Sequence, residues 1–193
     1  DAFRYSENKW VFQGCFPPVK PVRKRSPLSG QSPSDDFDGK LPAVAALSTG
    51  ELCVVGATRA GVVHISVESA DGVRIYYDTI TATDPDAKVI AISGTFYVVY
   101  KNSTALTLRR IAVANGQVGT ITDSGIATLN NTANHWDIST GASTEWYLAY
   151  QSGAATVTVA KITGATVGTT ATPALTDPYV SLFYDSVNLL LWL

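Results

Sequence analysis

Four short apolar runs recur along the chain at spacings of 44, 50 and 43 residues. They occupy residues 52–56 (LCVVG), 96–100 (FYVVY), 146–150 (WYLAY) and 189–193 (LLLWL). The second and third copies match further, as FYVVYKNSTALTLRRI and WYLAYQSGAATVTVAKI, and each leads into a Gly-containing turn and another Val-Gly-Thr segment. A period in the forties requires a fold that stacks several similar small units.

Each period contains apolar and β-branched segments separated by turn residues such as Gly50, Gly61 and the Asp71-Gly72 pair, which suit tight hairpins. We predict the first period's strands at 44–47, 51–55, 62–68 and 73–78, and the second's at 88–92, 95–101, 105–113 and 117–122. The third period's follow at 135–139, 145–150, 155–162 and 165–170, and a fourth period begins with 179–184 and 188–193.

The second strand of each period is apolar on both faces, so it must be covered on both sides. The third strand of the second period carries Arg109 and Arg110 together and is expected to be only partly covered. Sheets stacked face to face around an axis produce this pattern, whereas a lone β-sandwich shows polar alternation in most strands. Tandem immunoglobulin-like domains need a period near 100 residues, and the coils of a parallel β-helix are shorter and are not hairpins.

We therefore predict an all-β chain of the β-propeller class, with about three complete four-stranded blades and part of a fourth. The blades are expected at residues 41–87, 88–134, 135–178 and, in part, 179–193. Propellers typically have four to eight blades, so the predicted ring is incomplete. The chain is accordingly expected to be a piece of a longer polypeptide.

Residues 1–40 differ from the repeats because they contain five prolines and the basic cluster 20–25 (KPVRKR). Proline favours extended backbone, so we predict an extended N-terminal arm. Phe3, Tyr5, Trp10, Phe12 and Phe16 indicate an arm that docks on a neighbour, or the end of a preceding domain. The basic cluster can contact nucleic acid or an acidic surface, although a solvated or protein-docked linker is the favoured interpretation.

Charged residues make up 16% of the chain, below the roughly 25% usual in soluble domains. Either further protein covers the surface, as in an assembly, or a Ser/Thr-rich β surface needs fewer charges; composition leaves both open. The net charge of −2 argues neither for nor against nucleic acid as a binding partner. No apolar run approaches the roughly 20 residues of a membrane span.

No catalytic, cofactor or metal site is predicted. The chain has two histidines, His64 and His135, and neither has a cysteine or carboxylate at ligand spacing. His135 and Asp137 flank Trp136, but no nucleophile lies at a recognisable spacing, so structural roles are expected. The favoured interpretation is that Cys15 and Cys53 are both free thiols, and a single disulfide between them is the alternative.

Residues 69–72 and 122–125 each loosely resemble the Asp-box of sialidase-type propellers, but the glycine falls at the wrong position. Hairpin turns are the favoured interpretation of both segments. The loops between periods, at 84–86, 123–134 and 176–178, are where propellers usually carry function. They offer oxygen ligands at Asp84, Asp86, Asn130 and Asn131 without calcium-loop spacing, and Asn102 and Asn130 begin glycosylation sequons.

The low charge, the Thr/Ala/Gly-rich irregular repeats and the aromatic-basic arm resemble the propeller modules of tailed-bacteriophage tail proteins of the nozzle or hub type. This resemblance implies a structural, non-enzymatic virion component. Its partners would be other structural subunits, with homo-oligomers in a larger assembly and DNA passing nearby.

Two alternatives remain. One is a carbohydrate-binding or sialidase-like propeller, and the other is an interaction propeller of a cellular complex. The carbohydrate alternative predicts an aromatic and acidic rim formed by Trp136, Asp137, Tyr179 and Asp185.

Overall fold

Strands form where runs of β-branched and aromatic residues meet turn residues, as this composition favours. The computed structural model describes residues 2–6, 9–13, 42–130, 135–154, 156–173, 180–185 and 190–192. These residues contain strands and no helix, so none of their segments is a helix long and apolar enough to cross a membrane. The prediction of an all-β chain is confirmed.

Three four-stranded antiparallel sheets follow one another along the chain, each with its strands in sequence order. Sheet 1 contains β3 (Ala43–Ala46), β4 (Leu52–Ala57), β5 (Val62–Glu68) and β6 (Arg74–Thr81). Sheet 2 contains β7 (Asp86–Ile92), β8 (Thr95–Asn102), β9 (Ala105–Ala114) and β10 (Gln117–Thr128). Sheet 3 contains β11 (Trp136–Thr140), β12 (Glu145–Gly153), β13 (Thr156–Thr163) and β14 (Thr166–Ala171).

Two antiparallel strand pairs flank these sheets in the sequence. The pair β1 (Ala2–Ser6) and β2 (Lys9–Gln13) belongs to a separate compact unit, Asp1–Pro33, and the pair β15 (Phe183–Asp185) and β16 (Leu190–Trp192) belongs to the unit Ser34–Leu193. The N-terminal segment therefore contains a hairpin that the prediction of an extended arm did not include. The basic cluster 20–25 and Cys15 lie outside the described residues.

Tight turns join the strands of each sheet. Ser93-Gly94 and Asn115-Gly116 each have positive φ at both residues, at 46° and 74° and at 54° and 69°. Two-residue hairpins need this geometry because it matches the right-handed twist of the paired strands. Glycine and asparagine adopt it at low cost, so these turns set the hairpin register.

The last strand of each sheet contains an extra residue relative to its neighbour. The register shifts between Glu68 and Val67 in sheet 1, twice along β10 in sheet 2, and beside Ala160 in sheet 3. Such bulges twist an edge strand away from regular pairing, which is one way that proteins protect exposed sheet edges.

The sheets of the second unit pack face to face. One core cluster joins sheets 1 and 2, a second joins sheets 2 and 3, and a third joins sheet 3 to Val180 and Leu182. All five residues 96–100 of β8 are buried, as predicted for a strand covered on both sides. The first strands β3, β7 and β11 pack against one another, whereas the last strands approach each other much less. The arrangement is propeller-like, and the described sheets do not close a ring.

The links between sheets are fixed by backbone hydrogen bonds to the turns on both sides. The amide of Ala82 donates to Gly61 O at 2.8 Å, and the amide of Ser103 donates to Thr83 O at 2.6 Å. The next link repeats this pattern, because Leu129 N donates to Thr104 O at 2.7 Å and Asn130 N to Gln151 O at 3.0 Å. Each described link therefore connects the turn after the second strand of one sheet to the same region of the next.

One predicted turn is wrong. Residues 122–125 lie inside β10, which runs to Thr128, because Asp123 pairs with Arg109 of β9 and the ladder continues beyond it. The first part of the loop predicted at 123–134 is therefore strand, whereas residues 131–134 and the loop predicted at 176–178 lie outside the described residues. Residues 69–72 do form the turn between β5 and β6, with Gly72 N donating to Ser69 O at 2.8 Å.

Candidate functional site

A concave feature of the described residues lies where the first strands of the three sheets meet. It is a cavity of about 500 Å³, lined by residues of β3, β7 and β11: Ala43, Asp86, Ala87, Lys88, Val89, Ile90, Asp137 and Ile138. Its charged groups are Asp86 and Lys88, which alternate along β7, and Asp137 on β11. Positions two apart on a strand share a face, so Asp86 and Lys88 both lie on the face of β7 that is directed toward sheet 3.

Asp137 is held by three hydrogen bonds from different parts of the chain. Its Oδ1 accepts from Lys88 Nζ at 2.7 Å and from the amide of Ile138 at 2.9 Å. Its Oδ2 accepts from the amide of Leu182 at 2.8 Å. Both carboxylate oxygens are therefore occupied by protein donors, and this side chain connects sheet 2, sheet 3 and the segment leading into β15. Such an arrangement suits a structural joint better than a general base, which needs access to a substrate proton.

Trp136 contributes to the same joint from the other side of β11. Its ring is buried, and Lys88 Nζ lies 5.4 Å from the ring centroid, a cation–π distance. Its buried indole nitrogen has no hydrogen-bond partner. Because the ring is covered, Trp136 offers no open face on which a sugar could stack.

A second polar joint lies between the outer strands of sheets 1 and 2 and is centred on Arg109. Its Nε and Nη2 donate to Asp123 Oδ1 and Oδ2, each at 2.7 Å, in the two-pronged geometry that suits a guanidinium. Its Nη1 donates to Asp78 of β6 and lies 3.4 Å from the hydroxyl of Tyr76. Arg109 thus joins a carboxylate of its own sheet to one of the preceding sheet.

The charges in this Arg109 joint shift the acid–base properties of their neighbours. Burial opposes ionisation of Asp78, but hydrogen bonds from the Thr79 amide and Arg109 outweigh it and lower the pKa of this carboxyl below its usual value. Burial raises the pKa of Tyr76, and burial together with nearby Asp123 raises that of Tyr100. The hydrogen bonds that Arg109 donates to Asp123 raise the pKa of the guanidinium, and this effect is larger than the lowering caused by burial. These pKa shifts favour the charged forms of Asp78 and Arg109 and the neutral forms of Tyr76 and Tyr100 at neutral pH.

A buried lysine anchors the first link between sheets. Lys101 ends the apolar run of β8, is 2% exposed, and pairs with Asp84 of the link. The neighbouring Asn102 accepts a hydrogen bond from the Thr83 amide at 2.8 Å through its side-chain oxygen. Gln151 occupies the matching position in sheet 3, where it is also buried and donates to Ala154 O at 3.1 Å. The loop residue Asp84 and the sequon residue Asn102 therefore hold the link in place.

The two histidines and the described cysteine are the remaining side chains that the sequence offered as candidates. His64 is buried on β5, and its Nδ1 lies 2.8 Å from the hydroxyl of Tyr77. The carbonyl of His135 accepts from the Gln151 amide at 3.0 Å. Cys53 is a free thiol in the core, where burial raises its pKa to about 12 and leaves it unreactive at neutral pH.

The predicted rim residues are brought together only in part. Trp136 and Asp137 share one joint, Tyr179 lies outside the described residues, and the backbone of Asp185 ends β15. Within the described ranges, no three histidine, cysteine or carboxylate side chains form a group that could hold a metal ion. Lys88 and Arg109, which organise the two joints, were not singled out as site residues from the sequence. Their partners in the neighbouring sheet are 49 and 31 residues away, so no local pattern pointed to them.

No protein-family model matches the chain, and a search of curated proteins finds no significant match.

Proposed function

We propose that the chain is a structural, non-enzymatic module, an incomplete β-propeller that acts as a scaffold for protein–protein contacts. The observation that carries the proposal is the use of the polar side chains: the carboxylate of Asp137 and the guanidinium of Arg109 are both saturated by partners within or between sheets. Enzyme sites instead keep reactive groups accessible and tuned for proton transfer.

The packing of the first strands supports the propeller part of this proposal. Contact along β3, β7 and β11, with much less contact between β6 and β10, is what we expect of wedge-shaped blades around an axis. In propellers, blades of four antiparallel strands surround a central channel in this way. The cavity beside Asp86, Lys88 and Asp137 then corresponds to part of the channel wall.

For the biological setting, we propose a tailed-bacteriophage virion, where such a scaffold would surround the channel through which DNA leaves. This setting rests on the resemblance of the repeats and the aromatic-basic arm to tail propeller modules. The mildly acidic repeats fit a channel that DNA passes through without binding tightly: residues 41–193 hold seven basic and eleven acidic residues, 7 − 11 = −4.

The experiment is quantitative mass spectrometry of tailed particles purified from the source culture through two successive density gradients. The proposal expects peptides of this chain in a constant ratio to an established tail protein in every particle fraction. Recovery of the chain only in the particle-free fraction would overturn the virion role.

A glycan array and a hydrolysis assay on the purified chain test the carbohydrate alternative. Specific glycan binding that is lost in Asp137→Asn while the fold is retained would favour that alternative over the scaffold.

A further inference from the structure

One repeat position on the third strands differs in charge from sheet to sheet. Cross-strand register pairs it with equivalent residues of the second strands: Val67 with Cys53, Arg110 with Tyr97, and Lys161 with Tyr147. The second-strand partners each pack in the core cluster that follows their sheet along the chain. Directly opposed residues share a face, so Arg110 lies on the side of sheet 2 that faces sheet 3.

Lys161, at this position in sheet 3, has a carboxylate from its own sheet. Its Nζ lies 2.6 Å from Glu145 Oε1. Glu145 immediately precedes the apolar run 146–150, and Thr95 immediately precedes the matching run 96–100 in sheet 2. Sheet 2 therefore has a neutral hydroxyl where sheet 3 has the carboxylate that pairs with its cation.

The two arginines of β9 differ in the same way. Arg109 lies on the side that faces sheet 1, where Asp78 and Asp123 neutralise it. Arg110 lies above the Tyr97 ring, with its guanidinium carbon 5.7 Å from the ring centroid. Its Nε is buried without an acceptor, and no described residue forms an ion pair with its guanidinium.

The facing side of sheet 3 does not supply the missing anion either. Its β12 and β13 direct uncharged side chains into the core shared with sheet 2, and these are Trp146, Leu148, Ala160 and Ile162. Strand alternation places Glu145 on the opposite side. The outer strands β9 and β10 also approach sheet 3 less than β7 does. Arg110 is therefore a half-buried cation between two sheets, without an anion from the described part of the chain.

We propose that Arg110 binds a carboxylate of a partner protein between the outer parts of sheets 2 and 3. A guanidinium has a planar set of N–H donors that matches the two oxygens of a carboxylate. The aromatic ring beneath Arg110 holds the cation in place by a cation–π contact, which leaves those donors available. A partly buried charge is costly without a partner, so an added carboxylate relieves that cost. The inference rests on the proposed scaffold role and adds the chemistry of its partner.

The surrounding charges favour a protein carboxylate over nucleic acid. Binding to a phosphate backbone draws on several cations, because each neutralised phosphate adds to the affinity. Arg109, next to Arg110 on β9, and Lys161, at the same repeat position in sheet 3, are already paired with carboxylates. One unpaired arginine matches one carboxylate better than a row of phosphates.

The test is an NMR titration of the purified 193-residue chain with N-acetylglutamate α-amide, which carries one side-chain carboxylate. The observed signal is the Nε–H resonance of Arg110. We expect a saturable shift with half-saturation at about 1–30 mM, since one ion pair supplies little affinity by itself. The matching glutamine compound, which is neutral, should give no saturable shift.

Two variants show whether Arg110 carries the binding. Arg110→Gln should raise the half-saturation concentration by about tenfold or more, because it removes the cation. Binding to this variant is followed through the indole N–H of Trp146, whose ring lies 5.9 Å from that of Tyr97. Arg59→Gln is the matched control: it makes the same change of charge in the exposed turn between β4 and β5, and should bind as the unaltered chain does. Urea midpoints check that both variants fold.

Three results would overturn the inference: no saturable shift, an equal shift with the glutamine compound, or equal binding by the two variants. A short DNA duplex is titrated in parallel. If it saturated the Arg110 resonance at lower concentration than the glutamate compound, the ligand would be a phosphate backbone and the protein partner would be ruled out. Particle composition is measured separately, so a negative result here leaves the proposed function standing.

Discussion

The two complete inter-sheet contacts are built differently. Between sheets 1 and 2 the core is mainly aliphatic, and the polar joint at Arg109 lies at the outer strands β6, β9 and β10. Between sheets 2 and 3 the core is richer in aromatic residues, with Tyr97 and Trp146 at 5.9 Å, and the polar joint at Lys88 and Asp137 lies at the first strands. Both contacts have an apolar core, but the ion pair lies at the outer strands in one contact and at the first strands in the other.

This difference suggests that one set of side chains holds two sheets together and another fixes how the sheets are rotated relative to each other. Apolar burial has no preferred direction, so it holds two sheets together without fixing how they are rotated. Charged hydrogen bonds have strict geometry, and one joint per contact suffices to set the rotation. The predictions below test whether the two contacts divide these roles as the structure indicates.

The largest expected effect comes from the apolar middle. Trp146→Ala removes a fully buried side chain whose indole nitrogen also donates to Gly164 O at 3.2 Å. We expect the free energy of unfolding in urea to fall by about 3–5 kcal/mol. Phe96→Ala, at the same repeat position in the other contact, should lose a similar amount. A loss below about 1 kcal/mol in either variant would show that the corresponding sheets do not pack as described.

Next in size is the outer joint. Arg109→Met retains most of the side-chain volume but leaves Asp78 and Asp123 without their cation, and Arg109 is only 12% exposed. We expect a loss of about 2 kcal/mol in unfolding free energy at pH 7. Arg110→Met, on the other side of β9 above the Tyr97 ring, is the control and should lose less than half as much. Equal losses for the two arginines would contradict an inter-sheet role for Arg109.

The outer joint should also depend on acid. The folded pKa of Asp78 lies below its usual 3.8, so its contribution to stability is complete above that value and is lost as the pH falls through the folded pKa. The difference in unfolding free energy between the unaltered protein and Asp78→Asn should therefore be constant near neutrality and shrink below about pH 4. If this difference in unfolding free energy instead grew as the pH fell, the folded pKa of Asp78 would be raised and not lowered.

The smallest effect is expected at the first-strand joint. Lys88→Met removes a cation that is 32% exposed, so solvent already screens its pair with Asp137. We expect a loss of about 0.5–1 kcal/mol, further reduced in 0.5 M salt. A loss larger than that of Arg109→Met would reverse the comparison between the two joints.

Local pattern was sufficient to predict most strands, because alternation and turn residues are read within a few positions. The segment Val62–Glu68 has its predicted bounds, and the paired turn residues mark the hairpins. The predicted turn at 122–125 was wrong because Thr, Asp, Ser and Gly favour turns locally. The Arg109–Asp123 pair that keeps these residues in β10 forms between two strands of the sheet. The N-terminal hairpin had a usable signal: two runs with alternating aromatic residues, separated by Glu7 and Asn8.

The joints could not be predicted in the same way. Asp137 was considered as part of a catalytic or carbohydrate-binding arrangement, but its donors come from Lys88 and from the amide of Leu182, 45 residues further along the chain. Side chains that meet between sheets have no spacing rule in a sequence with irregular periods of 44 and 50 residues. Only the stacking of the sheets brings them together.

A double-mutant cycle between Arg109 and Asp78 tests the central claim most directly, because these residues belong to different sheets. The unfolding free energies of the unaltered chain, Arg109→Met, Asp78→Asn and the double variant give the coupling between the two side chains. The structure predicts a stabilising coupling of about 1–2 kcal/mol, since the two groups form a charged hydrogen bond across the contact. Additive losses, within about 0.3 kcal/mol, would mean that sheets 1 and 2 do not meet at this joint.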